Sequence, residues 1–413
     1  MKLYDLRISN RNNISTITVS IDSKTLGEKD LWFSTDQKYE YAICPSQYDA
    51  FLVGLLYPAM KYGENIHIAG TVSKRLLFNT NNYIIPLIKS FSPSCKVIEV
   101  TAEKTNSNNF FGSGVGTGFS GGVDSFCTIY DRYELERDPE YRINKLVFLN
   151  VGSHGLGDKN KVEAKFYNRF NYLKHFPIEI GLDYIPLNSN LYFFHPWGHR
   201  KTHTLTSASG VLVMQRLFKR YYYASSGKGY DDTIKNAYKN KEISIGEYCD
   251  PILLPLLSTE SLEFISDGVQ YTRIDKTLRI LDYEPTKMYL NVCISGDDTH
   301  QNCSVCSKCC RTLMTLNSAG KLDDFNQVFN INKYKLEAEK KYVCKQVLLK
   351  NIDPYAKGNV EFAKANKVKT PSYIYSFLFC IPQIIKNKII RILKIILPDE
   401  IKTKAKILVK KNK

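Results

Sequence analysis

The chain has 413 residues and a formal net charge of +16 at pH 7. Its length exceeds one ordinary hydrophobic core, so we expect two or three domains. The charge does not favour a nucleic-acid substrate, because ten basic and only two acidic residues lie between residues 371 and 413, and the rest of the chain is only mildly basic.

The beginning of the chain and the hydropathy of its segments predict a cytoplasmic protein. Residues 1–5 lead directly into strand-like sequence without a secretory signal pattern, and no apolar run reaches the roughly eighteen residues of a membrane span. The eleven cysteines are then expected to be free, bound to metal or catalytic, because disulfides are rare in a reducing compartment.

Residues 1–108 are predicted to form a separate α/β domain whose role the sequence does not indicate. Within them, residues 14–21 alternate like a half-buried strand, residues 48–56 are typical of a helix, and residues 96–100 are predicted to be another strand. The Asn-rich residues 104–109 are interpreted as a linker to the next domain.

The most informative motif is Ser-Gly-Gly-Val-Asp-Ser at residues 120–125, which lies between a glycine-spaced apolar run and a helix-compatible one. The glycines let the backbone approach a ligand, and the N–H groups and dipole at a helix start favour phosphate oxygens. Ser120 and Ser125 can add hydroxyl donors. An acid inside a phosphate loop is explained mainly by a Mg²⁺ ion that bridges Asp124 to the phosphates.

Two other phosphate-binding motifs fit less well. A Walker loop needs Gly-x-x-x-x-Gly-Lys-Ser/Thr, and the Gly-Lys-Gly of residues 227–229 lacks the hydroxyl residue. Residues 116–121 satisfy Gly-x-Gly-x-x-Gly, the dinucleotide fingerprint, but that pattern is short and leaves the Ser-Gly-Gly-Val-Asp-Ser run unexplained. The sequence therefore favours a loop for the phosphates of ATP.

From residue 114 onward the pattern alternates strands with helices, which is typical of a parallel sheet covered on both faces. The predicted strands are residues 145–151, 182–186 and 221–225, and the predicted helices are residues 158–176 and 201–220. We therefore predict a doubly wound α/β domain over residues 109–290, with its ligands at the carboxyl ends of the strands.

Residues 291–320 contain a dense cysteine cluster. Its members are Cys293, Cys303, Cys306 and Cys309, with Cys310 directly after them. Thiolates at gaps of nine, two and two residues can close around one tetrahedral ion, so the spacing predicts a structural Zn²⁺ site. An iron–sulfur cluster or a catalytic sulfur relay is the competing use. The even two-residue rhythm favours Cys309 over Cys310 as the fourth ligand.

The loop followed by C-x9-C-x2-C-x2-C resembles the N-type PP-loop ATP pyrophosphatases, and among them the 7-cyano-7-deazaguanine synthases of the queuosine pathway and their paralogues. The resemblance covers residues 114–316. It implies an adenine nucleotide alpha-hydrolase-like fold and an ATP-dependent ligase that forms a carbon–nitrogen bond. Such an enzyme adenylates a carboxylate or amide oxygen, releases pyrophosphate, and lets ammonia or another nucleophile displace AMP.

The resemblance also implies the roles of individual residues. ATP pyrophosphate and Mg²⁺ would be held by Ser120, Gly121, Gly122, Val123, Asp124 and Ser125. Zn²⁺ would be held by Cys293, Cys303, Cys306 and Cys309. Arg200 occupies roughly the place of an Arg-Asn pair of that family, so it joins Asp124 and Ser125 as a candidate catalytic residue.

Further candidates come from charge and position. Lys201, Arg273 and Lys276 are candidate cations for the phosphates, and the last two are spaced for one helix face. His154, His195 and His203 are weak acid–base candidates, since a lone histidine is more often structural. The expected substrate is a small carboxylate or 7-deazapurine-like molecule. The rival function is a tRNA-modifying PP-loop enzyme of the thiolase type that uses the cysteines for an iron–sulfur centre or sulfur transfer.

The end of the chain is predicted to be a helical extension, residues 321–370, and a basic amphipathic tail, residues 371–413. Residues 384–397 can form an amphipathic helix, and aromatic residues 373–379 precede it. Such a tail suits an anionic membrane surface or a protein partner. An ordinary helix packed on the enzyme is an equally good interpretation.

Overall fold

The computed structural model describes residues 1–155, 157–226, 230, 249–293 and 301–382. Its strands are β1 (Lys2–Arg11), β2 (Ile14–Ser23), β3 (Gly27–Asp36), β4 (Ile66–Ser73), β5 (Val100–Asn106), β6 (Gly114–Gly118), β7 (Lys145–Leu149), β8 (Asp183–Ser189), β9 (Phe218–Ala224) and β10 (Glu263–Asp267). They form one ten-stranded, mostly parallel sheet in the order β10-β9-β6-β7-β8-β3-β2-β1-β4-β5. The predicted α/β class is confirmed.

The helices that accompany the sheet are α1 (Asp49–Tyr62), α2 (Lys74–Asn79), α3 (Ile85–Phe91), α4 (Val123–Ile129), α5 (Lys159–Leu173), α6 (His175–Glu179) and α7 (His199–Val213), followed by Asp250–Leu256, Arg273–Arg279 and Glu284–Tyr289. A π-helical turn, Tyr130–Glu134, extends α4. Helix α5 begins where predicted, with the Asp158 carboxylate accepting from Lys161 N at 3.1 Å. Helix α7 ends earlier than predicted, because the chain turns at residues 214–217 into the strand β9.

Five strands of the sheet have the doubly wound arrangement expected of residues 109–290. In the order β8-β7-β6-β9-β10 every neighbouring pair is parallel, and the chain starts in the middle at β6. The strand order therefore reverses beside β6, and the carboxyl end of that strand is where such sheets bind ligands. Glycines in β6 admit a large neighbour, because a Cβ on Gly116 would lie 2.4 Å from the Phe218 ring of β9.

The first hundred residues continue the same sheet and are not a separate domain, which differs from the predicted 1–108 boundary. Strand β3 pairs antiparallel with β8, where Phe33 stands opposite Ser189. Twelve of the fourteen residues of α1 are buried, and His195 Nε2 donates to the Gly54 carbonyl of that helix at 2.7 Å. A helix buried on all sides belongs to a shared core. Residues Met1–Val292 accordingly form one compact unit.

Two local predictions in this part were also wrong. Residues 96–99 are not a strand, since β5 begins at Val100 and pairs with β4 from there. The expected linker at 104–109 is strand as far as Asn106, whose Oδ1 accepts from Gln47 Nε2 at 2.8 Å. An asparagine-rich run was therefore mistaken for a connection although its first part pairs in the sheet.

A second compact unit contains Cys293 and the described residues from Cys303 onward. Its helices are Ser307–Ser318, Ile331–Lys333, Glu339–Leu349 and Pro354–Ala365, followed by a helix whose described residues are 373–382. A small core of Met314, Val347, Val360 and Ala363 holds them together. Among the helices described, none combines the length and apolar character needed to cross a bilayer. The predicted helix at 384–397 lies outside the described residues.

Candidate functional site

The loop after β6 bends sharply at Gly121. This residue has φ +75°, a left-handed conformation that favours glycine, and an added Cβ would lie 2.7 Å from Leu173 Cδ2. Gly122 is extended and caps α4, which begins at Val123. The first N–H groups of a helix have no acceptor within it, so the bend presents donors at the carboxyl end of β6.

Residues from other elements hold the bend in place by hydrogen bonds to its backbone carbonyl groups. Asn291 N donates to the Gly121 carbonyl at 2.6 Å, and Arg169 donates both to the Ser120 carbonyl, at 3.3 Å, and to Asn291 Oδ1, at 2.9 Å. Tyr184 OH donates to the Phe119 carbonyl at 2.8 Å. Because the carbonyls face the protein, the shape of the bend is set before any ligand arrives.

The two serines of the motif lie side by side. Their Oγ atoms are 3.5 Å apart, and Ser125 Oγ donates to the Gly122 carbonyl at 3.0 Å. Ser125 is buried while Ser120 is exposed. The Ser120 hydroxyl is therefore at the open side of the bend, where a ligand would meet it.

Asp124 is joined by two cations from the helix Arg273–Arg279. Arg273 donates to Asp124 Oδ2 at 2.6 Å, and Lys276 Nζ lies 3.4 Å from Asp124 Oδ1. Lys276 is 1% exposed, and its ammonium also donates to the Ser225 carbonyl and hydroxyl, at 2.8 and 3.1 Å. A buried ammonium is tolerated only with such partners. Two positive charges and one negative charge leave this cluster, defined as Asp124, Arg273 and Lys276, with a net positive charge.

The ends of β9 and β10 support the cluster. Asp267, the last residue of β10, accepts from Thr128 Oγ1 at 2.9 Å and from Arg132 Nε at 2.8 Å, and its carbonyl accepts from Ser225 N at 3.0 Å. Gly268 follows with φ +73°, and a Cβ there would lie 3.1 Å from Lys276 Nζ. The strand ends and α4 are thus tied together around the buried lysine.

The remaining candidates are in different environments. Arg200 and Lys201 lie in the first turn of α7 and are both exposed. Burial, followed by the charges of Arg169 and others, lowers the pKa of His154 to about 3, and burial lowers that of His195 to about 4. Both rings are therefore neutral and part of the core. His203 differs, because its Nδ1 lies 2.5 Å from the hydroxyl of Tyr223 near the carboxyl end of β9.

Several residues of this site were missed by sequence reasoning. Ser225 directly follows β9 and Asp267 is the last residue of β10, so the rule that the carboxyl ends of parallel strands share one edge could have found them. Arg169 and Asn291 carry no pattern of their own, because they reach the bend from a helix and a loop that are distant in sequence.

The four predicted cysteine ligands converge in the second unit. All four Sγ atoms lie within 4.8 Å of one another, with 3.9 Å between Cys293 and Cys306 and 3.5 Å between Cys306 and Cys309. Sulfurs bound 2.3 Å from one tetrahedral zinc ion would be about 3.8 Å apart. Backbone N–H groups of Cys303 and Cys306 point at the Cys293 and Cys303 sulfurs, at 3.4 and 3.3 Å. The cluster could therefore hold a metal ion such as zinc.

Cys310 does not belong to this set. Its Sγ is buried and directed at the Ser304 carbonyl, 3.9 Å away, whereas Cys309 faces the other sulfurs. A hydrogen bond with Cys306, burial and the charges of neighbouring cysteines raise the pKa of the Cys309 thiol. A cation among the sulfurs would relieve this crowding of negative charge.

Comparisons with known proteins identify no relative: no family model matches the chain, and neither does any curated protein or solved structure searched. The residues themselves establish an α/β protein with a bent glycine loop at the reversal of its strand order, and a four-cysteine cluster suited to a metal ion.

Proposed function

We propose that this chain is a PP-loop ATP pyrophosphatase that activates a substrate as its adenylate, similar to the 7-cyano-7-deazaguanine synthases. The observation that carries the proposal is the meeting of the Gly121 bend with the cluster of Asp124, Arg273 and Lys276 at the carboxyl end of β6. Donors at a helix start and a net positive cluster suit the triphosphate of a nucleotide.

In this proposal the pyrophosphate part of ATP lies over residues 120–125. The hydroxyl of Ser120 and the N–H groups at the start of α4 would donate to its oxygens. Arg273 and Lys276 would offset the charge that develops on pyrophosphate as the bond to the α-phosphorus breaks. The residues thus act by positioning and charge neutralisation and form no covalent bond to the substrate themselves.

Asp124 would bind Mg²⁺ beside the phosphates, because a carboxylate is a preferred ligand of that ion. Magnesium would supply charge neutralisation of the phosphate oxygens. Each Asp124 oxygen faces a cationic side chain, so an ion held by Asp124 would share this carboxylate with Arg273 and Lys276. Asp124 would thereby keep both cations close to the phosphates.

The acceptor would be a small molecule with a carboxylate or amide oxygen, 7-deazapurine-like in the closest analogy. Its oxygen attacks the α-phosphorus of ATP, pyrophosphate leaves, and ammonia or another nucleophile then displaces AMP. His203 and Tyr223 line the same sheet edge and are suited to contact it. The chain would therefore be a carbon–nitrogen ligase. A nucleic-acid substrate is not favoured.

The cysteine cluster would hold structural Zn²⁺. Four protein sulfurs fill a tetrahedral site and leave no open position for a reacting ligand. The arrangement therefore favours zinc over the sulfur-transferring use expected of a thiolase-type enzyme.

The proposal is tested by product analysis with ATP labelled in the α-phosphate. Purified protein is incubated with Mg²⁺, ATP, ammonia and a panel of carboxylates and 7-deazapurines, and AMP and pyrophosphate are measured. Asp124→Asn should abolish both products, while Asp22→Asn, an exposed acid in β2, should not. If Asp124→Asn makes AMP and pyrophosphate at the wild-type rate, the proposal is wrong.

A further inference from the structure

The last described helix, residues 373–382, has its apolar side facing outward. Ser376 is fully buried and Cys380 half-buried, whereas large side chains are exposed: Ile374 by 72%, Leu378 by 60%, Tyr373 by 55% and Phe377 by 47%. Surface helices normally bury their apolar stripe. We name these four large residues the outer apolar face.

The helix is held in this orientation by specific contacts. Ser372 caps it, since Tyr375 N donates to Ser372 Oγ at 3.2 Å. Tyr375 and Phe379 stack with their ring centroids 6.2 Å apart, and Lys340 Nζ lies 5.4 and 5.0 Å from those two centroids. The helix is therefore fixed to Glu339–Leu349 by one side, which leaves the outer apolar face on another.

Basic residues lie beside this helix. Burial raises the pKa of the Cys380 thiol, and the nearby charges of Lys341 and Lys345 oppose the rise, so both lysines are close to the helix. Together with Lys340 they make its neighbour Glu339–Leu349 a positive flank. In sequence, residues 383–413 add ten basic and two acidic residues.

We infer that the outer apolar face binds the surface of an anionic lipid bilayer. An interfacial helix inserts aromatic and aliphatic side chains at the level of the headgroups while flanking lysines meet lipid phosphates. Pairing with a second copy is disfavoured, because a two-fold contact over this face would bring the same lysines together. Contiguous exposed apolar surface of this kind marks an interaction site and not an isolated surface residue.

The test is sedimentation of the full chain with sucrose-loaded vesicles of phosphatidylcholine alone or mixed with phosphatidylserine. We expect binding to the mixed vesicles only, weakened by added salt. The double variant Phe377→Ser/Leu378→Ser should partition at least about tenfold less. The control is Val97→Ser/Ile178→Ser, which removes two exposed apolar side chains from the other unit and should bind normally. Circular dichroism melting checks that both variants fold.

Three outcomes would overturn the inference. Equal binding to both kinds of vesicle, or to neither, contradicts recognition of an anionic surface. Undiminished binding by the Phe377→Ser/Leu378→Ser variant would assign the interaction to the lysines alone. Dimerisation of the full chain, abolished by the same two substitutions, would show that a second copy covers the face.

Discussion

Arg273 donates a 2.6 Å hydrogen bond to the carboxylate of Asp124, which precedes it by 149 residues. This contact joins the helix Arg273–Arg279 to the start of α4, directly after the Gly121 bend. Lys276, one turn further on, reaches the same carboxylate from a buried position. The acid of the Ser-Gly-Gly-Val-Asp-Ser motif and these two cations are therefore partners in one cluster.

Replacing the buried Lys276 tests the role proposed for this cluster in the release of pyrophosphate. Lys276→Met removes the charge with little change in length, and we expect pyrophosphate release to fall by about a hundredfold or more, as for other groups that stabilise a developing charge. The measurement is the initial rate of pyrophosphate formation at saturating ATP. Lys29→Met, an exposed lysine of β3, is the matched control and should keep the wild-type rate. A Lys276→Met rate within twofold of the control would contradict the role given to this ammonium.

The shape of the bend is tested at Gly121. An alanine there must adopt φ +75° and meet Leu173, so Gly121→Ala should lower the free energy of unfolding by about 1–3 kcal/mol. ATP affinity should fall as well, because the bend loses its shape. Gly157→Ala is the control, since nothing lies within 4 Å of a Cβ at that position. Urea unfolding measures the free energy of unfolding of both variants, and titration with ATP measures their affinity. Equal values for the two variants would mean that the bend tolerates a side chain.

The metal ligands are tested by substitution of adjacent cysteines. We expect one equivalent of zinc in the purified protein, its loss in Cys309→Ser, and its retention in Cys310→Ser, because only Cys309 faces the other sulfurs. Elemental analysis measures the metal, and thermal melting with a chelator should show a lower midpoint for the second unit. Visible absorbance of an anaerobic preparation serves as a check, since a brown iron–sulfur spectrum would refute zinc and favour the thiolase-type alternative.

Buried histidines should make the protein less stable below neutral pH. The pKa of His154 is lowered from its ordinary value near 6.5 to about 3. Above pH 6.5 the ring is neutral in both the folded and the unfolded chain, so it does not make the free energy of unfolding depend on pH. Below that value the unfolded chain binds a proton that the folded one does not, and stability falls as pH decreases towards 3. Asp49 opposes this trend, because burial raises the pKa of its carboxyl group to about 6. The stability that this group adds at low pH is lost as pH rises through that value.

The contribution of one histidine can be isolated with His154→Phe, a substitution compatible with its aromatic neighbours Phe148 and Phe166. Between pH 7 and pH 5, the wild type should lose about 2 kcal/mol more of unfolding free energy than the variant. Urea unfolding at the two pH values measures the difference. An identical pH dependence would mean that folding leaves the pKa of His154 unchanged.

Local patterns predicted the parallel half of the sheet, the glycine turn between β6 and α4, and the cysteine cluster, because strand–helix alternation and residue spacing are properties of neighbouring positions. They did not predict that the N-terminal residues share the sheet. The two parts of the sheet are joined where β3 pairs with β8, with Phe33 opposite Ser189, and no local pattern reveals this pairing. Helix α1 likewise becomes part of the common core only by contact with distant residues such as His195.

In the candidate site, too, local patterns were predicted and contacts between distant residues were not. The spacing of Arg273 and Lys276 was visible in the sequence, but their common partner Asp124 was not. The choice between Cys309 and Cys310 needed side-chain directions, since both lie in the first turn of one helix. The bonds from Arg169 and Asn291 to the bend arise only when α5 and the segment after Glu284–Tyr289 meet.

The most direct measurement is a crystal structure of the protein with Mg²⁺ and α,β-methylene-ATP, which cannot be cleaved at the proposed bond. The account predicts that the β- and γ-phosphates lie on the bend at Ser120–Gly122, with Mg²⁺ on Asp124 and with Arg273 or Lys276 turned towards the phosphates. Nucleotide bound elsewhere, with the bend empty and Asp124 still paired to both cations, would contradict it.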